Sequence, residues 1–198
     1  MSPRNIKAAS FRVKFREQFN LKAIYVFMHE WLVQEEWATR NDSEFPETFF
    51  GQNESALGGT EVWWNWRFTK PPGAGTTGPN SYYQWRLNIN GHVVLLREVE
   101  VVKNGRKIKT NWGEIEVIID SKVETDYNNK WRKHSILKHF EDLFRSRIFK
   151  AELLKSRDEL YRETYRLQTA IKDHLDMMKS SEEVETQGHF FGRRGGSE

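Results

Sequence analysis

Histidines are the first side chains to consider for metal binding or proton transfer, because the ordinary pKa of histidine lies near neutral pH. His29-Glu30 begins like the helical motif of zinc proteases, but that motif needs a second histidine at position 33, which is Val33. His134 and His139 are five residues apart and would not share one helix face well. We therefore predict no metal site from the six histidines, which are His29, His92, His134, His139, His174 and His189.

Carboxylates are the second group with chemical potential, since a pair of them can act as general acid and base or bind a hard cation. Glu114 and Glu116 would project from the same face of one predicted strand. Charge-paired outer faces are common in sheets, so we interpret the acids as partners of basic side chains and predict that the protein is not an enzyme. The acids considered are Glu35, Glu36, Glu114, Glu116, Asp120, Glu124 and Asp126.

The glycine-rich segment 70–80, KPPGAGTTGPN, has the composition of a phosphate-binding loop but not its order. A P-loop ends in Gly-Lys-Ser/Thr and leads into a helix, whereas here Lys70 precedes the glycines and a strand follows. The chain has no cysteine, which excludes a disulfide framework, a thiolate zinc site and a cysteine nucleophile. We predict a hairpin connection here, expect no cofactor, and identify no small-molecule substrate.

Aromatic side chains are the most unusual feature, at 14% of the residues. Because side chains alternate along a strand, only one face of each strand can belong to the core. The sequence therefore predicts a second aromatic face for a protein partner, or a base-stacking platform for nucleic acid. The residues assigned to this face are Trp63, Tyr82 and Trp112.

Charge is unevenly spread, although the net charge is only +3. Residues 1–22 carry six basic side chains against Glu17, and residues 29–61 carry eight acids against Arg40. In 130–157, nine Lys and Arg side chains stand against four acids when the adjoining Asp158 is included. This alternation favours either an anionic partner or contact between a basic and an acidic face of two subunits. The candidate phosphate contacts are Arg12, Lys14, Arg16, Arg132, Lys133, Arg145 and Arg147.

The elements that would position these residues begin with a short strand, because Phe11, Val13 and Phe15 alternate with basic residues. Asn20 has the chemistry of an N-cap, and apolar residues at helical spacing predict an amphipathic helix over 21–38. Residues 39–60 contain Pro46 and the pair Gly58-Gly59, so we predict a loop there.

A four-stranded antiparallel meander is predicted over 61–123, with strands at 61–68, from 83, at 92–103 and up to 123. Asn90-Gly91 and Asn104-Gly105 are both strong hairpin signals. Counting outward from the second turn places Val101 opposite Ile108 and Glu100 opposite Lys109.

The apolar phase of the last strand changes from even positions, Ile108 and Trp112, to odd positions, starting at Ile115. Gly113 lies at the change, which predicts a glycine bulge with a positive φ.

A long helix is predicted over 128–179, either continuous or kinked near 150–156, because this segment has no proline or glycine. At about 1.5 Å per residue it would exceed the length of the sheet, so we predict that part of it either projects from the domain or packs on another chain. The assembly seam is assigned to Leu153, Leu160, Leu167, Ile171 and Leu175.

These patterns predict an α+β domain over 1–126, a helical region over 127–179 and a flexible polar tail over 180–198. The N-terminus has no apolar signal-peptide core and no window is apolar enough to span a membrane, so we expect a cytoplasmic protein. The function predicted is a non-catalytic structural subunit that self-associates into a homo-oligomer or larger assembly. The alternative is a nucleic-acid-binding protein that uses the basic strand, the basic helix 130–157 and the sheet aromatics.

Overall fold

The computed structural model describes residues 5–55, 58–71, 82–103, 106–137, 139 and 143–190. Within these ranges it leaves out the side chains of 101–103, 106, 108, 132, 145, 146 and 178–190. The chain has the predicted α+β architecture, with an antiparallel sheet, an N-terminal helix and a long C-terminal helix.

The elements follow one another in this order: β1 (Asn5–Phe19), α1 (Leu21–Gln34), β2 (Glu47–Glu54), β3 (Thr60–Lys70), β4 (Tyr83–Lys103), β5 (Arg106–Thr125), α2 (Lys130–Lys133) and α3 (Lys150–Phe190). A 3-10 turn, Asp42–Glu44, precedes β2, and a π-helical turn, Phe144–Ile148, precedes α3. The strand order in the sheet is β1-β5-β4-β3-β2, and every neighbouring pair is antiparallel.

The prediction of four strands is wrong, because the sheet has five. Asn90-Gly91 is not a turn; β4 continues through it, and Gly91 pairs with Trp64 on β3. A Cβ on Gly91 would lie 2.0 Å from Cε2 and Cζ2 of Trp64. Gly91 is therefore required by the indole that crosses over it and not by a turn conformation.

A second difference lies in 39–60, which was predicted as loop but contains β2. The strand ETFFGQNE has no regular alternation of apolar and polar residues, because as an edge strand it is exposed on nearly all of its length. The predicted basic strand is confirmed and extended: β1 runs from Asn5 to Phe19 and pairs with β5.

The register of the β4–β5 hairpin is as predicted, with Val101 opposite Ile108 and Glu100 opposite Lys109. The Asn104-Gly105 turn itself lies outside the described residues.

The predicted glycine bulge at Gly113 is wrong. The irregularity is on β4, where Leu95 has φ 56° and the register shifts between Val94 and Arg97. Gly113 stays in phase with Ile115 on the buried face, and Trp112 lies on the other face. A Cβ on Gly113 would lie 3.0 Å from the carbonyl oxygen of Val94, so this glycine accommodates the bulged neighbouring backbone.

Helix α1 begins as predicted, since the Asn20 side chain accepts a hydrogen bond from the backbone N–H of Ala23 at 3.0 Å. Its apolar stripe of Ile24, Met28 and Leu32 is fully buried. The helix ends at Gln34, earlier than predicted, and Glu36 follows with φ 59°.

The C-terminal region is not one continuous helix, but the predicted kink near 150–156 is wrong, because these residues lie within one unbroken helix. The break precedes them, at Phe149, which follows the π-helical turn and whose backbone N–H donates to the carbonyl of Phe144 at 2.8 Å. Helix α3 then begins at Lys150 and continues past residue 179 to Phe190.

Both α1 and α3 pack on one face of the sheet and share a single core with it. The sheet contributes alternate residues, such as Trp64, Ile89 and Val117, which are almost completely buried. Several polar contacts link α3 to this face, and three of them lie along β4 and β5. The Tyr83 hydroxyl donates to Glu152 at 2.9 Å, the Trp85 indole to Ser156 at 2.7 Å, and the Thr164 hydroxyl to Ser121 at 2.8 Å.

Within the described part of the chain, no helix has both the length and the apolarity needed to cross a membrane.

Candidate assembly edges and open face of the sheet

Both outer strands of the sheet have one side without a strand partner in the described part of the chain. β1 pairs only with β5, and β2 pairs only with β3. The outer side of such a strand presents a row of backbone N–H and C=O groups that another strand can pair with.

The β1 edge is basic, with four Lys and Arg side chains against one glutamate. Its alternation places Phe11 and Val13 on the core face and Arg12 and Lys14 on the other face. Arg12 and Lys14 lie 3.3 and 3.2 Å from Glu116 on β5, so these two cations are paired within the chain. The basic residues of this edge are Lys7, Arg12, Lys14 and Arg16.

The β2 edge is acidic and apolar. Glu47 and Glu54 stand at its two ends, and the strand has no basic residue. Phe49 and Phe50 in its middle are 50% and 54% exposed, which is unusual for two adjacent aromatic side chains. Like charges on two copies of the same edge repel each other, whereas the β1 edge of one copy and the β2 edge of another attract.

The sheet face opposite the helices is covered by no described element and carries mostly polar side chains. Along β4 it presents Asn88, Asn90 and His92, whose Oδ1, Oδ1 and Nε2 atoms are shielded and have no hydrogen-bond partner among the described residues. His92 stacks on Trp63 with ring centroids 5.2 Å apart. A polar outer face of this kind is ordinary for an antiparallel sheet with one solvated side.

Charges on this open face are largely compensated. Arg86 lies 3.4 Å from Glu124, and Arg67 donates to the backbone carbonyls of Trp66 and Ile89 at 2.8 and 3.3 Å. Burial, reinforced by the neighbouring Arg86, lowers the pKa of Arg67 below its ordinary value. Arg86 and Arg67 thus make their polar contacts within the chain, which leaves fewer of their donors free for a phosphate backbone.

The predicted aromatic face is not assembled as expected. Trp63 and Trp112 lie on the open face, but Tyr82 is only 3% exposed. Its ring stacks on Phe149 at 5.2 Å and meets Trp131 edge-on at 5.1 Å, so it belongs to a buried aromatic cluster beside the π-helical turn.

The candidate phosphate contacts lie on separate elements. Arg12, Lys14 and Arg16 are on β1, whereas Lys133 ends α2 and Arg147 lies in the π-helical turn. The side chains of Arg132 and Arg145 fall outside the described part. Nucleic-acid binding remains a prediction from the sequence, and these positions add no shared surface to it.

The five residues assigned to the assembly seam are buried inside this chain. Leu160, Leu167 and Ile171 have no exposed surface, and Leu153 and Leu175 are 2% exposed. They pack in the same cluster as the sheet, so the chain itself accounts for their spacing and they offer no surface to a second copy.

The residues with potential for chemistry have ordinary surroundings, with one exception. No three His, Asp or Glu side chains converge as metal ligands anywhere in the described ranges. Glu114 and Glu116 lie near Lys14, and the imidazole of His174 stacks on Phe27 at 4.2 Å. The exception is His29, whose Nε2 lies 3.5 Å from a carboxylate oxygen of Asp42.

His29 and Asp42 belong to a cleft that the sequence did not predict. It lies between α1 and the segment leading into β2, has a volume of about 480 Å³, and is lined by Tyr25, Val26, His29, Asp42, Phe45 and Glu47. No spacing rule relates His29 to Asp42, since the two meet only because the chain reverses direction after α1.

A buried ion pair joins three elements at the opposite end of α1. Lys70 Nζ lies 2.8 Å from Glu163 on α3 and donates to the backbone carbonyl of Glu35 at 2.8 Å. The Trp37 indole donates to the same carboxylate at 2.7 Å, and Lys70 Nζ is 5.1 Å from the Trp37 ring centroid. Since every polar group here has a partner within the chain, the arrangement fastens α1 and α3 to β3.

Comparisons of this chain with protein-family models, with curated proteins and with solved structures gave no match.

Proposed function

We propose that this protein is a non-catalytic structural subunit that self-associates by pairing the β1 edge of one copy with the β2 edge of the next. The observation that carries the proposal is that the two open edges of one sheet have opposite charge. Pairing of this kind continues the sheet from copy to copy.

Charge selects this pairing over the two alternatives. Two β1 edges would oppose four basic side chains to four, and two β2 edges would oppose Glu47 and Glu54 to each other. Unlike edges bring cations to carboxylates, and each exposed pair contributes about 0.2–1 kcal/mol. Natural edge strands use like charge to block unwanted pairing, and the β1 lysines and arginines fit that role.

Backbone pairing and burial supply the remaining stabilisation. β2 spans eight residues, and each backbone hydrogen bond that it forms with a partner strand contributes a net of about 0.5–1.5 kcal/mol. Phe49 and Phe50 are half exposed, so covering them stabilises the contact by about 1 kcal/mol each. An interface between two different edges is heterologous, so repetition gives a ring or an open filament.

The test uses two variants, each with one edge disabled. The acidic-edge variant carries Gln52→Lys and Glu54→Lys, two exposed positions of β2, and the basic-edge variant carries Lys7→Glu and Arg16→Glu. Size-exclusion chromatography with light scattering at micromolar concentration should find assemblies for the wild type and monomers for each variant alone. An equimolar mixture should assemble again, because the intact β1 edge meets the intact β2 edge and the two charge-reversed edges are also opposite in charge.

The matched control reverses two exposed charges on α3, Lys155→Glu and Arg157→Glu, and should assemble like the wild type. High salt should weaken all assemblies, because the contact pairs exposed charges. A wild-type monomer at micromolar concentration, or a mixture of well-folded variants that stays monomeric, would refute the proposal.

A further inference from the structure

The cleft beside β2 has a mixed wall of rings and carboxylates. The Phe45 ring lies over the imidazole of His29 with centroids 4.3 Å apart, and Tyr25 forms the neighbouring wall. The Tyr25 hydroxyl donates to Glu47 Oε1 at 2.7 Å, and the Trp66 indole donates to the same oxygen at 3.2 Å. Two donors thus hold the Glu47 carboxylate in a fixed position at the cleft wall.

The cleft is electrically negative. Asp42 and Glu47 contribute two carboxylates to the wall, and no lysine or arginine lines it. Burial, together with the hydrogen bond to Glu47, raises the pKa of Tyr25 far above its ordinary value, so this hydroxyl remains a neutral donor. The surrounding chain strengthens the field, since residues 29–61 carry eight acids and only Arg40 as a base.

Two occupant classes do not fit these walls. A metal ion would need three or more ligands, and no three His, Asp or Glu side chains converge in the part of the chain that is described. An anion would meet two carboxylates and no cationic lysine or arginine among the lining residues. An organic cation fits both features, because it can pair with Asp42 and lie against an aromatic ring.

We infer that this cleft receives a cationic side chain, a guanidinium or ammonium group, supplied by the β1 strand of the next copy. The source of the cation rests on the proposed edge pairing, whereas the chemistry of the cleft does not. Glu47 is both a cleft residue and the first residue of β2, so a strand that pairs with β2 passes beside the cleft. Lys7 and Arg16 are the candidates on that strand, because Arg12 and Lys14 are paired with Glu116 of their own chain.

The chemistry is tested with arginine amide as the probe and citrulline amide as its neutral counterpart. The titration uses the monomeric basic-edge variant, because the cleft of the assembled wild type would already hold a β1 cation. NMR should show shifted signals of the His29 imidazole and the Trp66 indole with arginine amide and unchanged signals with citrulline amide. Asp42→Asn should weaken the arginine probe by about fivefold, as expected for loss of one exposed charge contact. Glu30→Gln removes an equal charge from an exposed neighbouring position outside the cleft and should leave the affinity unchanged.

Whether β1 of the next copy supplies the cation is tested by measuring the oligomeric state of the same variants. If β1 supplies the cation, Asp42→Asn should shift the wild-type assembly toward monomer, and Glu30→Gln should not. If the wild type is a monomer and its cleft binds the probe, the edge pairing is refuted. The cation site then stands, but β1 of a second copy is not the source of its cation. Equal binding of both probes, or assembly and probe binding that are both insensitive to Asp42→Asn, would overturn the cleft inference alone.

Discussion

Replacing Gly91 by alanine should destabilise the protein, although a glycine-to-alanine change in a regular strand normally stabilises it. The added Cβ would lie 2.0 Å from two carbon atoms of Trp64 and 2.4 Å from a third, where ordinary contact begins near 3.4 Å. Trp64 is fully buried and meets Tyr25 and Trp66 at ring-centroid distances of 6.0 and 6.4 Å, so the indole cannot swing into solvent.

The expected change in the free energy of unfolding combines a favourable effect on the unfolded chain with an unfavourable clash in the folded core. Alanine has an advantage of roughly 0.5–1 kcal/mol over glycine in a strand, because it restricts the unfolded chain. Overpacking a well-filled core costs typically about 1–3 kcal/mol, and a Cβ overlapping an indole belongs at the upper end. We therefore expect the free energy of unfolding to fall by about 2–3 kcal/mol, measured by urea unfolding followed by tryptophan fluorescence.

Gly51→Ala is the matched control. There the added Cβ would lie 2.8 Å from the Phe49 ring, but that ring is half exposed and can rotate away, so the change should be within about 0.5 kcal/mol. Combining Gly91→Ala with Trp64→Leu should cost less than the sum of the two single changes, because the leucine leaves room for the Cβ. A Gly91→Ala variant as stable as the wild type, or strict additivity in the double variant, would show that Trp64 is not the reason for the glycine.

Two further substitutions probe how α3 is attached to the sheet. Leu160→Asp places a charge at a position with no exposed surface and should lower the free energy of unfolding by several kcal/mol, enough to unfold the protein. A urea midpoint equal to that of the wild type would contradict the packing of α3 on its own sheet. Ser156→Ala leaves the buried Trp85 indole N–H without its acceptor, so the free energy of unfolding should fall by about 1–3 kcal/mol in the same assay. The control is Lys155→Ala, at the exposed preceding residue, which should lower it by less than about 0.5 kcal/mol.

Local chemistry was sufficient to predict some elements. The Asn20 cap and the stripe of Ile24, Met28 and Leu32 are set by groups within one turn of each other, so the start and the buried face of α1 were predictable. The register of the second hairpin follows from counting residues, which fixed Glu100 opposite Lys109.

Asn90-Gly91 shows where local chemistry fails. The dipeptide favours a turn, but the glycine is there because an indole from a neighbouring strand needs the space of a side chain. The bulge at Leu95 has no sequence signal at all, since leucine seldom adopts a positive φ. For this reason the bulge was predicted at Gly113 on β5, the neighbouring strand, and not at Leu95 on β4.

The candidate sites were less predictable than the fold. The spacing of Leu160, Leu167 and Ile171 reports an apolar stripe but not whether the stripe meets the same chain or another. The charge of β1 and β2 was visible in the sequence, yet their placement on opposite edges depends on strand order. The cleft required tertiary structure, because His29 and Asp42 approach each other only after the chain has folded back.

Polar contacts between α3 and the sheet determine the position of the helix along its own axis. Leu153, Leu160 and Leu167 repeat every seven residues, so an axial slide of α3 by seven residues, roughly 10 Å, would place leucine on leucine again. The same slide would bring Glu163 or Phe149 to the Trp85 indole, and Arg157 or Ile171 to Ser121. The hydrophobic row alone thus permits the observed position and a shift in either direction, and the contacts of Ser156 and Thr164 select the observed one.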